Sequence, residues 1–126
     1  MKSRENLVRL KRFQVNEQRR RMAQLDMMIA EFDRMASELD LQIAAEEKKS
    51  GITDLNHFAY PTFAKAARQR RDNLKNSQND LVAQKSAAQA QLSEAEIELE
   101  RAEMLESRDG RIVREAEPQV SSAMIG

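Results

Sequence analysis

Two stretches of the chain carry apolar side chains at intervals of three and four residues. The first runs from about residue 4 to residue 49 and contains no glycine or proline. Its seam, meaning the positions expected to face another helix, comprises Val8, Lys11, Val15, Gln18, Met22, Leu25, Ile29, Phe32, Ala36, Leu39 and Ile43. Apolar residues at most of these positions, sustained over several heptads, predict a long helix of the coiled-coil type.

A second seam follows a break in the pattern at about residues 50–59. The break contains Gly51, Asp54 and Asn56, which favour turns, and Pro61 suits the first turn of a helix. A second helix is therefore expected over about residues 60–108. Its seam is Tyr60, Ala64, Ala67, Arg71, Leu74, Gln78, Leu81, Lys85, Ala88, Leu92, Ala95, Leu99, Ala102 and Glu106.

Charge favours an antiparallel arrangement of the two helices. Residues 1–21 carry eight basic and two acidic side chains, and residues 90–106 carry six glutamates and one arginine. Folding the chain at the break brings these two runs together, and opposite charges beside a seam set helix orientation. The predicted fold is all-α: an antiparallel coiled-coil hairpin over residues 1–110. Residues 111–126, which lack the periodic pattern and contain Pro118, are expected to form a flexible, disordered tail.

Composition argues against several classes of function. The chain has no cysteine and a single histidine, and it has no glycine-rich phosphate loop, so we expect no catalytic residues, no metal site and no cofactor. Basic and acidic residues balance at 21 each, which argues against a nucleic-acid partner. No apolar run approaches the roughly 18 residues that cross a bilayer, so direct membrane insertion is not expected. A cytoplasmic, non-enzymatic helical protein is the expectation.

The segment around the break gathers aromatic and basic side chains. They are Phe58, Tyr60, Phe63, Arg68, Arg70 and Arg71, with His57 beside them. In one interpretation the rings form a hydrophobic plug that closes the turn, and the arginines are solvated. In the other the segment is a docking tip, since aromatic residues and arginine are enriched at interface hot spots. His57 is expected either to take part in the packing of the corner or to be exposed.

Three apolar residues of the first helix are predicted to point away from the second helix. These are Phe13, Met27 and Leu41. Isolated exposed apolar residues are common, whereas methionine-rich helix faces also adapt to protein partners. Both interpretations stay open at this stage.

The segments "LVRLKRFQVNEQRRRMAQL" and "NHFAYPTFAKAARQRRDNL" resemble the FliJ family, small coiled-coil proteins of the flagellar type III export apparatus. The resemblance covers roughly residues 4–107. It implies a stalk similar to that of rotary ATPases, located at the cytoplasmic face of the inner membrane at the flagellar base. Its implied partners are the export ATPase, the export gate membrane protein and the export chaperones.

The resemblance also implies two binding surfaces. The gate-binding residues would be Phe58, Tyr60, Phe63, Ala67, Arg70 and Leu74. The residues facing the ATPase ring would be Arg9, Lys11, Arg12, Arg19, Arg20 and Arg21. Two alternatives remain: a coiled-coil export chaperone that binds secreted substrates, and a structural spacer that dimerises through the alanine-rich second seam.

Overall fold

The computed structural model describes the backbone of residues 2–125 and the side chains of residues 3–112. It contains two helices, α1 (Lys2–Ser50) and α2 (Thr62–Ile125), which pack against each other. The described residues include no strand. The all-α antiparallel hairpin predicted from the two seams is therefore confirmed.

The apolar seams form the contact between the helices. Every predicted seam position of both helices is buried or half-buried. The fully buried apolar residues all belong to the predicted seams: Val8, Val15, Leu25, Ala36, Leu39, Ile43, Tyr60, Ala64, Ala67, Leu81, Ala88, Leu92 and Ala102. Because α2 contributes four buried alanines, its backbone can lie close to the larger side chains of α1.

The chain divides into two compact units. The terminal unit joins Met1–Arg21 to Ala88–Gly126, and the turn unit is Met22–Ala87. In the turn unit Leu39, Ile43 and Ala67 form a buried cluster, against which Leu74 packs. The side-chain amide of Gln78 also donates a hydrogen bond of 3.2 Å to the backbone carbonyl of Ile29.

The end of α2 differs from the prediction. The second helix was expected to end near Gly110, whereas α2 continues through Gly110 to Ile125. A glycine inside a helix costs only about 1 kcal/mol relative to alanine, so Gly110 alone does not end it. In addition, Asp109 forms an ion pair with Arg4 of α1 at a distance of 3.1 Å, and this pair holds α2 against α1 at this point. Most of the tail predicted for residues 111–126 lies outside the residues whose side chains are described.

Candidate functional site

The turn between the helices begins at Gly51. Its φ of 76° lies in the left-handed region that favours glycine, and its N–H donates to the carbonyl of Glu47 at 2.8 Å. A side chain at position 51 would meet no neighbouring atom within 4 Å, so the backbone angle alone selects glycine here. The sequence break therefore corresponds to a helix end fixed by backbone conformation.

Local hydrogen bonds order the rest of the turn. The side chain of Asp54 accepts from the N–H of Asn56 at 3.0 Å. Nδ1 of His57 accepts from the N–H of Ala59 at 3.0 Å, so in this geometry Nδ1 carries no proton. The carbonyl of Pro61 accepts the first helical bond of α2, from Lys65. His57 is exposed, and its ring accepts this hydrogen bond within the turn.

A three-residue network joins the end of α1 to the start of α2. The hydroxyl of Tyr60 donates to Glu47 at 3.0 Å, and Nε of Arg68 donates to that hydroxyl at 2.8 Å. Arg68 also donates through Nη2 to the same Glu47 oxygen at 2.5 Å. The hydrogen bond from Arg68, reinforced by that from Tyr60, holds the pKa of the Glu47 carboxyl below its ordinary value. The network closes the turn with charge as well as with apolar contact.

This network was not predicted, because Arg68 was expected to be solvated in the plug interpretation. Two signals in the sequence point to it. Glu47 lies four residues after Ile43, where the first seam would continue, and Arg68 lies eight residues after Tyr60, on the same helical face. Charged side chains at these positions meet across the hairpin.

The other two arginines of the cluster have different environments. Arg71 donates to Asp40 of α1 at 3.0 Å and to its neighbour Asp72. Arg70 is exposed and lies beside a groove of about 160 Å³ between the helices. The groove is lined by Met35, Glu38, Leu39, Gln42, Arg70 and Leu74.

The structure separates the predicted gate-binding residues into two groups. Phe58 is 97 % exposed and Phe63 is 56 % exposed, so neither ring plugs the turn. Tyr60 is only 8 % exposed and packs as the plug interpretation predicted. Ala67 belongs to the buried cluster and offers no surface to a partner, because its small side chain meets Leu39 and Ile43. The accessible part of the predicted surface is Phe58, Phe63, Arg70 and the half-buried Leu74.

In the terminal unit, the cations predicted to face an ATPase ring are partly used inside the hairpin. Lys11 pairs with Glu98 at 2.8 Å, and Arg12 approaches Glu103 at 4.0 Å. Arg20 pairs with Glu17 one turn earlier on α1. Arg9, Arg19 and Arg21 are exposed and have no ion-pair partner among the described residues. Charge pairing therefore explains part of the basic run and leaves these three guanidinium groups accessible.

Two grooves mark the surface of the terminal unit. One, of about 270 Å³, is lined by Glu5, Val8, Arg9, Arg12 and Glu106. The other, of about 410 Å³, is lined by Arg101, Met104, Leu105, Arg108 and Arg111. The second groove was not predicted from the sequence, because Arg101 lies within the acidic run of residues 90–106 and Arg108 and Arg111 follow that run.

The part of the chain that the structure describes contains no group of three or more histidine, cysteine, aspartate or glutamate side chains arranged to hold a metal ion. Neither helix there has a stretch sufficiently long and apolar to cross a membrane.

Comparisons with protein-family models, with curated proteins and with solved structures gave no match to this chain.

Proposed function

We propose that this chain is a non-catalytic adaptor and stalk of the flagellar protein export apparatus. It links the export ATPase to the export gate membrane protein and assists the export chaperones, at the cytoplasmic face of the inner membrane at the flagellar base. The proposal rests on the sequence resemblance and on one structural observation. Phe58 and Phe63 are exposed at a turn that Tyr60, Glu47 and Arg68 hold closed without them.

Exposed rings on an ordered turn are typical of a binding surface. A solvated aromatic side chain contributes little to the stability of the hairpin, whereas aromatic anchors dominate many interfaces. The exposed Arg70 and the neighbouring groove extend this surface along α2. The gate-binding surface that we propose is therefore Phe58, Phe63, Arg70 and Leu74.

The proposed ATPase-binding surface lies in the terminal unit. It comprises Arg9, Arg19 and Arg21, with Arg20 tied to Glu17 beside them. Guanidinium groups without partners in the described residues remain free to pair with carboxylates of another protein. Electrostatic contacts of this kind steer association and make it sensitive to salt.

A second candidate function is an export chaperone that binds secreted substrates along the helices. Phe13, Met27 and Leu41 of α1 are each more than half exposed, which favours a contact with an apolar segment. The spacer alternative has less support, because Ala64, Ala67, Ala88 and Ala102 are buried inside the hairpin. A dimer through the alanine seam would require the hairpin to open.

Affinity capture from a flagellated cell lysate tests the proposal. The tagged full chain is expected to retain an ATPase and a gate membrane protein. Arg19→Ala/Arg20→Ala/Arg21→Ala should lose the ATPase alone, and Phe58→Ala/Phe63→Ala should lose the gate protein alone. Capture of secreted subunits that is abolished by Met27→Ser/Leu41→Ser would favour the chaperone. Capture of none of these proteins would contradict both functions.

A further inference from the structure

A second row of side chains with helical spacing runs along α2 in the terminal unit. Ile97, Arg101, Met104, Arg108 and Ile112 follow one another at intervals of four, three, four and four residues. The row lies on the side of α2 away from the buried Ala102. All three apolar members are exposed, with Met104 at 65 %. This spacing is that of a seam, although no helix of the described chain covers it.

The groove on this face is lined by both apolar and cationic side chains. Met104 and Leu105 form part of its lining, and Arg101, Arg108 and Arg111 supply the guanidinium groups. None of these arginines has an ion-pair partner within the described residues. Within residues 3–112, large apolar side chains therefore alternate along one helical face with arginines that no carboxylate pairs.

We propose that this outer face of α2 binds an amphipathic helix of a partner protein, whose carboxylates face the arginines. Arg101 and Arg108 are seven residues apart, about 10.5 Å along the helix axis. The matching helix carries two carboxylates one heptad apart, with apolar residues between and beyond them to contact Ile97, Met104 and Ile112. The surface is separate from the gate-binding and ATPase-binding surfaces, and the inference does not depend on the proposed function.

The residues beside the row favour a helix over a polyanion. Glu94 is exposed at the N-terminal end of the row, three residues before Ile97, and Glu100 is exposed beside the row; neither has a cation within ion-pair distance in the described chain. A nucleic acid or an anionic membrane brings closely spaced negative charges, which these carboxylates repel. A helix, in contrast, can place its carboxylates opposite the arginines alone. The same helix can place lysines opposite Glu94 and Glu100. Alternating charge of this kind selects a protein partner.

A pair of synthetic helical peptides tests the inference. Each has three heptads, with leucines at the positions that face the apolar residues and lysines on the flanks. One peptide has glutamates at the two positions that face Arg101 and Arg108, and the other has glutamines there. Fluorescence anisotropy with the full chain should show that the glutamate peptide binds at least about tenfold more tightly.

Variants of the chain test which arginines cause the preference for the glutamate peptide. Arg101→Gln/Arg108→Gln should abolish the preference for the glutamate peptide. Lys48→Gln/Lys49→Gln, which removes the same charge from exposed positions of α1, should keep it. Circular dichroism checks that each variant is helical. If the first variant does not fold, Met104→Gln, which should weaken binding of both peptides, takes its place.

Three results would overturn the inference. The first is equal binding of both peptides to the unmodified chain, and the second is no binding of either. The third is displacement of the glutamate peptide by double-stranded DNA or by phosphatidylserine vesicles at matched charge concentration, which would identify the face as a polyanion site.

Discussion

The hydroxyl of Tyr60, in the turn, donates a hydrogen bond to the carboxylate of Glu47, 3.0 Å away on α1. The ring itself is buried, so this one side chain supplies both an apolar contact and a hydrogen bond at the turn. Phe58, two residues earlier, does neither, and it stacks only on its neighbour His57. Stability and binding are therefore expected to depend on different rings of the same segment.

Substitutions at Tyr60 should separate the two contributions of its side chain. Tyr60→Phe removes the hydroxyl, which donates to Glu47 and accepts from Arg68, and should cost about 1–2 kcal/mol of unfolding free energy for the two hydrogen bonds. Tyr60→Ala also removes the buried ring and should cost about 3 kcal/mol. Phe58→Ala is the matched control and should change stability by less than about 0.5 kcal/mol. Urea unfolding followed by circular dichroism measures all three, and a Phe58→Ala loss as large as that of Tyr60→Ala would contradict the assignment.

The lowered pKa of Glu47 should make hairpin stability depend on pH. The hydrogen bonds from Arg68 and Tyr60 hold this pKa below its ordinary value near 4.5. The folded state therefore binds the proton less readily than the unfolded chain does. Its contribution to stability is complete above about pH 4.5 and is lost as the pH falls through the folded pKa.

Glu47→Gln tests this dependence. The variant should melt at a lower temperature at pH 7, and its melting temperature should fall less steeply than that of the parent between about pH 5 and pH 3. Glu46→Gln removes the neighbouring carboxylate and serves as the control, with a pH profile like that of the parent. Parallel profiles for the parent and Glu47→Gln would show that this carboxyl does not carry the effect.

The positive φ of Gly51 predicts how substitutions there behave. Gly51→Ala should destabilise the hairpin by about 1 kcal/mol, because a Cβ disfavours the left-handed conformation. Gly51→Asn should cost less, since asparagine tolerates this region better than alanine does. Thermal unfolding ranks the two variants. Because no atom crowds the site, a larger loss for asparagine than for alanine would argue against a purely conformational cause.

Phe63→Ala should affect binding and leave folding nearly intact. The ring is more than half exposed, so the melting temperature should barely change. If Phe63 anchors the gate-binding surface, affinity for the gate protein should fall by about 2 kcal/mol, roughly thirtyfold. Swimming and flagellar export measured in cells complement the binding assay. Full export by a strongly destabilised Phe63→Ala protein would exclude the ring as a docking residue.

The basic segment of α1 should determine how ATPase binding responds to salt. Arg19→Ala/Arg20→Ala/Arg21→Ala should weaken binding and reduce its salt dependence, while alanine keeps the helix intact. Lys48→Ala/Lys49→Ala removes exposed cations elsewhere on α1 and should leave binding unchanged. Surface plasmon resonance at two salt concentrations measures both variants. Unchanged affinity and salt response in the triple variant would limit these arginines to roles within the hairpin.

The seams were predictable because helical spacing depends only on the local sequence. Tolerance of Lys11 and Arg71 at interior positions also follows from the pattern, since their long side chains extend past the seam to Glu98 and Asp40 at its edge. Gly51 and Gly110 differ in their effect on the helices. Gly51 adopts a positive φ and ends α1, whereas α2 continues through Gly110. Sequence composition alone does not distinguish a glycine that ends a helix from one within it.

The candidate surfaces were less predictable than the fold. A cluster of aromatic and basic residues does not reveal which members pair with one another, because partners such as Glu47 and Arg68 meet only across the hairpin. The outer row of α2 was not predicted for a different reason. Residues 90–106, which include Arg101, have a negative net charge, and Arg108 follows them. Only the helical arrangement separates these two arginines from the glutamates.

The ion pairs of the hairpin also imply an order of events during synthesis. Glu47 and Arg68 are 21 residues apart, whereas Arg4 and Asp109 are 105 apart. Closing the longer loop costs about 1.4 kcal/mol more chain entropy, so the turn can form first. At roughly 5–20 residues per second, the apolar seam around Val8 leaves the ribosome several seconds before the segment around Glu106, which lines a groove with Val8, is synthesised. Lys11 and Gln18 interrupt that seam, which limits the apolar surface that the nascent first helix exposes before the second helix is synthesised.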